Sequence, residues 1–307
     1  MKSNVYTPYI LLAVGVVVFL ATIWSMARCY RIHRTFFRNT ACALIEPKAD
    51  DKGGGRIPRI IHQTYSSWGR ATTLFGQAIQ KTRHSNVSYD YRFYDDAAMH
   101  AFMKRQPHRV YEAFQKINPA YKAAQADLFR YCLVYELGGV YADIKCVVGD
   151  LRQVVAPSDG MLLSIGSTSE IFSWTALPLW RHNSHPVYRE IQQFWIAARP
   201  KHPLMKIVID ETVQAIENYN DARFKSHQVL GTVFSFLNKG YNAVMATTGP
   251  WVYTQAILKG IRKGERDFRI VCPFLNGVIQ YDSHHRKNHV RKMGKEHYSR
   301  QSEPVVL

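Results

Sequence analysis

The stretch "ADLFRYCLVYELGGVYADIK", Ala126–Lys145, joins a helix pattern directly to a strand pattern and decides the predicted fold. Alanine, leucine, glutamine and lysine favour a helix here, Pro119 fits its first turn, and Gly138 or Gly139 fits its end. The β-branched and aromatic run that follows, as far as Gly149, predicts a strand. A helix that passes through two glycines into a strand brings the strand back beside it, as in an α/β domain.

Charged side chains in this stretch are predicted to line one cleft. Asp127 and Arg130 stand three residues apart and share a helix face, which by itself would also suit a surface ion pair. The helix is otherwise mostly apolar, however, and a charged pair is costly to bury without further partners. Asp143 and Lys145 are expected on one strand face, with Ile144 directed into the core. Ligands of open α/β sheets bind beyond the carboxyl ends of the strands, where this cleft would lie.

The same alternation of strands and helices extends along the chain and predicts an α/β domain with a mainly parallel central sheet. Strands are expected within Ile57–Tyr65 and Tyr89–Asp96. Further helices are expected within Asp95–Gln106, capped by Asp95 or Asp96, within Ile207–Tyr219, and from Pro250 onwards.

Three segments together resemble a known enzyme family. "IPRIIHQTY" (57–65), "ADLFRYCLVYELGGVYADIK" (126–145) and "TTGPWVYTQAI" (247–257) are similar to the DXD-motif retaining glycosyltransferases. That family includes initiating mannosyltransferases of the yeast Golgi and mannosyltransferases acting on inositol phosphoceramide, and is distantly similar to large clostridial glucosylating toxins. The resemblance covers roughly Ile57 to Tyr298. It implies a Rossmann-like GT-A fold and transfer of a sugar from a nucleotide donor with retention at the anomeric carbon.

The resemblance also implies roles for individual residues. Asp127 and Arg130 match the family's donor-sugar pair, and Asp143 matches the first aspartate of the DXD motif, so these are the expected catalytic residues. Tyr65 stands where the family usually has tryptophan, and the tryptophan of the closing tail segment is missing. The residues expected to bind the donor are Ile61, His62, Gln63, Thr64, Tyr65, Lys145, Gly249, Pro250, His297 and Ser299.

Lys145 is the clearest departure from the family pattern, since the second aspartate of the motif normally binds Mn²⁺. A protonated lysine has only donors and cannot bind a metal ion. Two alternatives remain: Asp143 holds Mn²⁺ while Lys145 swings away, or Lys145 takes the place of the metal beside the diphosphate. The expected donor is a nucleotide sugar, either GDP-mannose or a UDP-hexose.

The N-terminal region predicts a membrane anchor. Tyr9–Ala27 carries no charge, and as a helix it would span about 28 Å, close to the thickness of a bilayer core. A signal peptide cleaved before Arg28 is the alternative. The resemblance implies a single-pass Golgi or endomembrane protein with a lumenal catalytic domain. The sequon at Asn86 is compatible with a lumenal domain. The arginines after the span favour a cytoplasmic catalytic domain instead. The expected divisions are a tail (1–8), a transmembrane anchor (9–27), a stem (28–56) and a catalytic domain (57–300).

Composition narrows the choice of partners. Forty Lys and Arg residues against 23 Asp and Glu give a net charge of +17, which favours an anionic partner. No nucleic-acid recognition motif is present, so nucleic acid is not expected, whereas a glycan or a glycolipid such as inositol phosphoceramide is. The five cysteines have no C-x-x-C spacing, which argues against zinc, and Cys132 and Cys146 are expected to be buried thiols. The alternative to an active transferase is an inactive protein that binds a sugar nucleotide or glycan.

Overall fold

The computed structural model describes residues 56–164, 191–221, 239–271, 277–281, 298 and 301–307, and all of these belong to one structural unit. The proposed anchor Tyr9–Ala27, the stem before Arg56, and the tail residues His297 and Ser299 lie outside the described residues. Within the described ranges, no helix combines the length and the apolar character needed to cross a bilayer.

Strands and helices alternate along the described chain, and the structure contains several elements beyond the three strands and four helices that the sequence predicts. The strands of the described residues are β1 (Ile60–Thr64), β2 (Asp90–Tyr94), β3 (Gly139–Ala142), β4 (Cys146–Val148), β5 (Met161–Ser164), β6 (Trp195–Ala198), β7 (Arg269–Val271) and β8 (Ile279–Tyr281). The α-helices there are α1 (Trp68–Ser85), α2 (Asp96–Met103), α3 (His108–Lys116), α4 (Lys122–Leu137), α5 (Pro203–Glu217), α6 (Lys239–Thr247) and α7 (Pro250–Arg262), with a 3₁₀ turn at Leu151–Gln153.

A six-stranded sheet with the order β2-β1-β3-β6-β5-β7 forms the centre of the described fold. Strand β1 is parallel to β2 and β3, and β5 is parallel to β7. Strand β6 is antiparallel to both of its neighbours, and β4 pairs with β8 in a separate antiparallel ribbon. The mainly parallel α/β sheet is therefore confirmed, and it is consistent with a GT-A architecture.

Helix α4 is the central helix of the described core. Leu128, Phe129 and every residue from Tyr131 to Val134 are fully buried. The helix contacts β3 and β6 of the sheet on one side and helices α5 and α6 on others. A helix buried on several sides is apolar nearly all round, which explains why its sequence lacks a clear polar face.

The start of α4 differs from the prediction, and its end agrees. The helix begins at Lys122, so Pro119 lies in the preceding loop rather than in the first turn. Asn118 N–H donates to Val305 O (2.8 Å), and Asn118 O accepts from Tyr121 N–H (2.8 Å), so this segment forms a turn bound to the C-terminal residues. The helix ends where predicted: Gly138 has φ 63°, and a Cβ there would lie 2.6 Å from a side-chain carbon of Pro200.

The single strand predicted from Gly139 to Gly149 is wrong, because a tight turn divides it into β3 and β4. The turn closes with a hydrogen bond from Cys146 N–H to Asp143 O (2.8 Å). Ile144 is buried in this turn, as predicted, and packs in a cluster with α1 residues such as Phe75. Asp143 and Lys145 therefore lie in a turn at the carboxyl end of β3, not on one face of a strand.

The sequon asparagine, Asn86, is 4% exposed and serves as an internal hydrogen-bonding group. Its side-chain nitrogen donates to the carbonyls of Thr82 (2.9 Å), Val148 (3.0 Å) and Gly149 (2.9 Å), and its oxygen accepts from Leu151 N–H (3.0 Å). The folded protein thus has no free amide at this position to carry a glycan. The sequon gives no support for a lumenal location.

Candidate functional site

An ion-pair cluster lies at the carboxyl end of β3, where the chain leaves the central sheet. Arg130 bridges two carboxylates: Nη2 lies 3.1 Å from Asp127 Oδ1, and Nη1 lies 3.0 Å from Asp143 Oδ1. The side chains of Asp127 and Arg130 are 4% and 6% exposed, and that of Asp143 is 19% exposed. Such burial limits screening by water and makes these interactions far stronger than those of a surface pair. The structure therefore brings together the three residues predicted to be catalytic.

Arg130 is held in place by several neighbours. Its guanidinium lies 4.7 Å from the ring centre of Tyr141, Nε donates to Ala126 O (3.2 Å), and Nη1 donates to Gln193 O (3.2 Å). Burial alone would lower the pKa of Arg130, but the nearby carboxylates of Asp143 and Asp127 outweigh it and raise the pKa above its usual value. Arg130 is a fixed, permanently charged donor.

Asp127 is the most deeply buried carboxylate of the cluster. Besides Arg130, it accepts hydrogen bonds from Gln193 Nε2 (3.2 Å) and from the Thr248 hydroxyl (3.0 Å). Burial raises the pKa of Asp127 to about 7, although Arg130 and the hydrogen bond from Thr248 lower it. Asp127 thus changes charge near neutral pH.

Asp143 is positioned mainly through its backbone. Its N–H donates to Phe194 O (2.8 Å), and its carbonyl accepts from Gln63 Nε2 (3.2 Å) as well as closing the turn. The hydroxyl of Tyr141 donates to Oδ1 of Asp143 (3.1 Å). Since Oδ1 also faces Arg130, one carboxylate oxygen receives both contacts.

Gln193 and Tyr141 are site residues that sequence reasoning missed. Tyr141 stands two residues before Asp143, so the period of two along a strand could have indicated it. Gln193 offers no comparable signal, because it enters the site only when β6 pairs with β3 in antiparallel orientation. Thr248 lies in the segment TTGPWVYTQAI (247–257) that carries the family resemblance, but its hydrogen bond to Asp127 requires the fold.

Of the segment "IHQTY", the first part is internal. Ile61 is 1% exposed and His62 is 0% exposed. The ring of His62 hydrogen-bonds through Nε2 to Gly138 O (2.9 Å) and through Nδ1 to the Tyr94 hydroxyl (3.1 Å). Burial lowers the pKa of His62 to about 4. This neutral histidine fastens β1 to the glycine turn that starts β3.

The second part of the segment reaches the ion-pair cluster through one residue. Gln63 is buried and donates to Asp143 O, as described above. The Thr64 hydroxyl donates to Tyr94 O (2.7 Å), and Tyr65 is half-buried. Gln63 is therefore the residue through which β1 helps to position Asp143.

Gly249 and Pro250 start helix α7, as predicted, and they follow directly on a loop that Thr248 fastens to α4. A Cβ at Gly249 would lie 2.9 Å from the Cα of Met245, so only glycine fits this close approach. The carbonyl of Thr248 accepts from the Tyr131 hydroxyl (2.8 Å), which fastens the loop to α4. This fixed loop places the Thr248 hydroxyl on the buried carboxylate of the cluster.

The described side chains do not fit a resident Mn²⁺ ion. Among them, no group of three His, Cys, Asp or Glu side chains is arranged to hold a metal. Asp143 already shares Oδ1 between Arg130 and Tyr141, and the half-buried Lys145 follows two residues later. At a separation of about 5 Å, each unit charge of a metal ion would cost roughly 3 kcal/mol against the ammonium at an effective dielectric constant of about 20.

A cavity of about 1110 Å³ lies between the end of α1, β2 and β4. Its wall includes Lys81, Arg83 and His84 but none of the ion-pair cluster. Arg83 and His84 occupy the last turn of α1, where basic side chains complement the partial negative charge of the helix end. Their presence is thus explained without a ligand.

Residues 73–154 match the family model described as the glycosyltransferase sugar-binding region containing a DXD motif. The matched segment contains Asp127, Arg130, Asp143 and Lys145. The predicted resemblance to this family is therefore confirmed for that segment, while its mannosyltransferase type remains a prediction. No curated protein matches the sequence significantly.

Similar solved structures are glycosyltransferases as well. The PaToxG glycosyltransferase is 14% identical, with a TM-score of 0.42 over 82% of this chain and 81% of that one. The UDP-bound glycosyltransferase domain of the YGT toxin is 12% identical, with a TM-score of 0.35 over 68% of this chain and 58% of that one. At such low scores, these similarities do not define a shared function.

Proposed function

We propose that this protein is a retaining glycosyltransferase that moves a hexose, with mannose as the first candidate, from a nucleotide sugar to a glycan or glycolipid. The observation that carries the proposal is the buried cluster of Asp127, Arg130 and Asp143 within the segment that matches a sugar-binding family model. Charged groups with fixed geometry are suited to recognising hydroxyls and phosphates.

The cluster offers complementary groups to a sugar. Asp127 would accept hydrogen bonds from sugar hydroxyls, and Arg130 would donate to sugar or phosphate oxygens. Gln193 supports this assignment, since its Oε1 is buried and has no hydrogen-bond partner in the described part of the structure. An unpaired buried acceptor costs about 1–3 kcal/mol, and a sugar hydroxyl would satisfy it.

Retention is proposed to proceed by attack on the face from which the diphosphate leaves. The bond between the anomeric carbon and the phosphate oxygen breaks, the acceptor oxygen bonds to the same carbon, and the acceptor proton passes to the leaving phosphate. The alternative uses a carboxylate nucleophile, as retaining glycosidases do. Asp127 is poorly suited to that role, because Arg130, Gln193 and Thr248 engage both of its oxygens.

The membrane and acceptor parts of the proposal rest on the sequence. Tyr9–Ala27 would anchor the chain, with the catalytic domain in the Golgi or endomembrane lumen, and the arginines that follow make the opposite orientation the alternative. The net charge of +17 suits an anionic glycolipid such as inositol phosphoceramide. Protease protection of intact vesicles would decide the orientation.

Hydrolysis and transfer assays with a panel of GDP- and UDP-sugars test the proposal. We expect Asp143→Ala to abolish turnover and Asp127→Ala to lower it at least about 100-fold, since each removes a fixed charge from the site. Asp210→Ala is a matched control, because this carboxylate is 46% exposed on α5. Wild-type rates in either cluster variant would contradict the site assignment. Binding of a sugar nucleotide without any turnover would instead favour an inactive binding protein.

A further inference from the structure

The turn that follows β3 holds a lysine, Lys145, two residues after Asp143 of the ion-pair cluster. Hydrogen bonds to Phe194 O and from Cys146 N–H fix the backbone of Asp143 on both sides. Ile144 is 4% exposed and packs in the cluster that contains Phe75 of α1, so the middle of the turn is anchored too. Lys145 is half-buried at the next position, so the backbone from which its side chain extends has a fixed place in the turn.

Lys145 also changes the charge balance of the site. Arg130 shares its single positive charge between Asp127 and Asp143. If Lys145, two residues from Asp143, is counted with them, the charged groups are two cationic side chains and two carboxylates, and burial raises the pKa of one carboxylate, Asp127, to about 7. A carboxylate in place of Lys145 would leave the site negative and in need of a metal ion before it could accept a diphosphate. The side chains present are instead balanced to accept an anion directly.

We propose that the Lys145 ammonium is the resident cation that binds the donor's diphosphate, so that this site binds a nucleoside diphosphate without a divalent metal ion. A lysine neutralises phosphate as a point charge. The positive charge that stabilises the leaving group would then come from the chain itself. This inference rests on the proposed function and specifies how its site works.

Binding of UDP and of GDP to the full chain, measured by calorimetry in EDTA and in saturating Mn²⁺, tests the inference. The wild type should bind one of them equally well, within about twofold, under both conditions. Binding that requires Mn²⁺ would overturn the inference but leave the proposed glycosyltransferase intact. Failure to bind either nucleotide under any condition would overturn both.

Three variants of Lys145 separate charge from shape, and thermal unfolding of each variant is the check that it is folded. Lys145→Met keeps the length of the side chain and should weaken binding about 10- to 100-fold, whereas Lys145→Arg should stay close to the wild type. Lys145→Asp should bind nucleotide only with Mn²⁺ and should itself bind Mn²⁺, as detected by electron paramagnetic resonance. Lys104→Asp makes the same charge change at an exposed position and should have no effect. Wild-type affinity in Lys145→Met would contradict the assignment.

Discussion

Arg130 shows how a single residue can connect separate parts of the chain. Its guanidinium contacts Asp127 on its own helix, Asp143 beyond β3, and the carbonyl of Gln193 before β6. The sequence places only the first of these within reach by helical spacing. Burial makes the whole arrangement sensitive, because removing one partner would leave an uncompensated charge.

Two buried residues, His62 and Asp127, are expected to give opposite pH dependences of stability. Burial lowers the pKa of His62 from 6.5 to about 4. The contribution of His62 to the free energy of unfolding is therefore complete above pH 6.5 and is lost as the pH falls towards 4. That loss amounts to about 3 kcal/mol. Burial raises the pKa of Asp127 from 3.8 to about 7, so its contribution is complete below 4 and is lost as the pH rises towards 7.

Single substitutions would separate these two contributions. In the wild type the two contributions nearly cancel between pH 4 and 6.5. In His62→Asn only the Asp127 contribution of the two remains, so the free energy of unfolding should fall more steeply with rising pH than it does in the wild type. Asp127→Asn should have the opposite effect over the same range. Urea unfolding at a series of pH values measures both slopes. A His62→Asn curve parallel to that of the wild type would contradict the assigned burial of the neutral ring.

At the scale of elements, Asn86 joins the end of α1 to the β4 ribbon. Its side chain serves three carbonyl acceptors and one backbone N–H, and these include groups of Val148, Gly149 and Leu151. Strand β4 belongs to a short two-stranded ribbon rather than to the central sheet. The asparagine therefore fastens this ribbon to the end of helix α1.

Asn86→Ala should destabilise the protein by about 2–4 kcal/mol, because it leaves several buried backbone groups without partners. Chemical denaturation measures this loss. Ser88→Ala is the matched control: it removes the same sequon at an exposed position and should leave both stability and electrophoretic mobility unchanged. A mobility shift in Ser88→Ala, or upon treatment of the wild type with glycosidase, would show that the asparagine carries a glycan.

At the scale of the whole molecule, the C-terminal residues close the fold near the start of α4. Val305 is fully buried, and its carbonyl accepts from Asn118 N–H (2.8 Å). Leu307 N–H donates to Lys116 O (2.9 Å), and the Tyr121 hydroxyl donates to Glu303 O (2.6 Å). Because Tyr121 immediately precedes α4, these contacts hold the end of the helix that carries Asp127.

Deleting residues 301–307 should lower the free energy of unfolding by about 2–4 kcal/mol through lost burial and lost hydrogen bonds. Turnover should fall as well, because the first turn of α4 loses its support. Val305→Ala should reproduce part of the loss, and Val306→Ala, at a half-buried position, should cost less. Thermal unfolding compares the variants. Equal stability of the shortened and full chains would contradict a structural role for these residues.

Local patterns in the sequence were enough to identify about half of the described elements, and together with the family resemblance they pointed to the central ion-pair residues. The spacing of Asp127 and Arg130, the glycine pair after α4 and Pro250 at the start of α7 each act within one or two turns of chain. Such preferences depend on the sterics and hydrogen bonding of neighbouring residues. For this reason they can be read without knowledge of the fold.

The tertiary structure alone decided which distant groups meet at the site. The insertion of antiparallel β6 beside β3 brings Gln193 to Asp127, and the burial of Ile144 against α1 turns the chain between β3 and β4. These contacts depend on long-range pairing and packing, which local spacing does not encode. Burial also sets the charge of Asp127 near neutral pH, since that depends on the water removed by the surrounding elements.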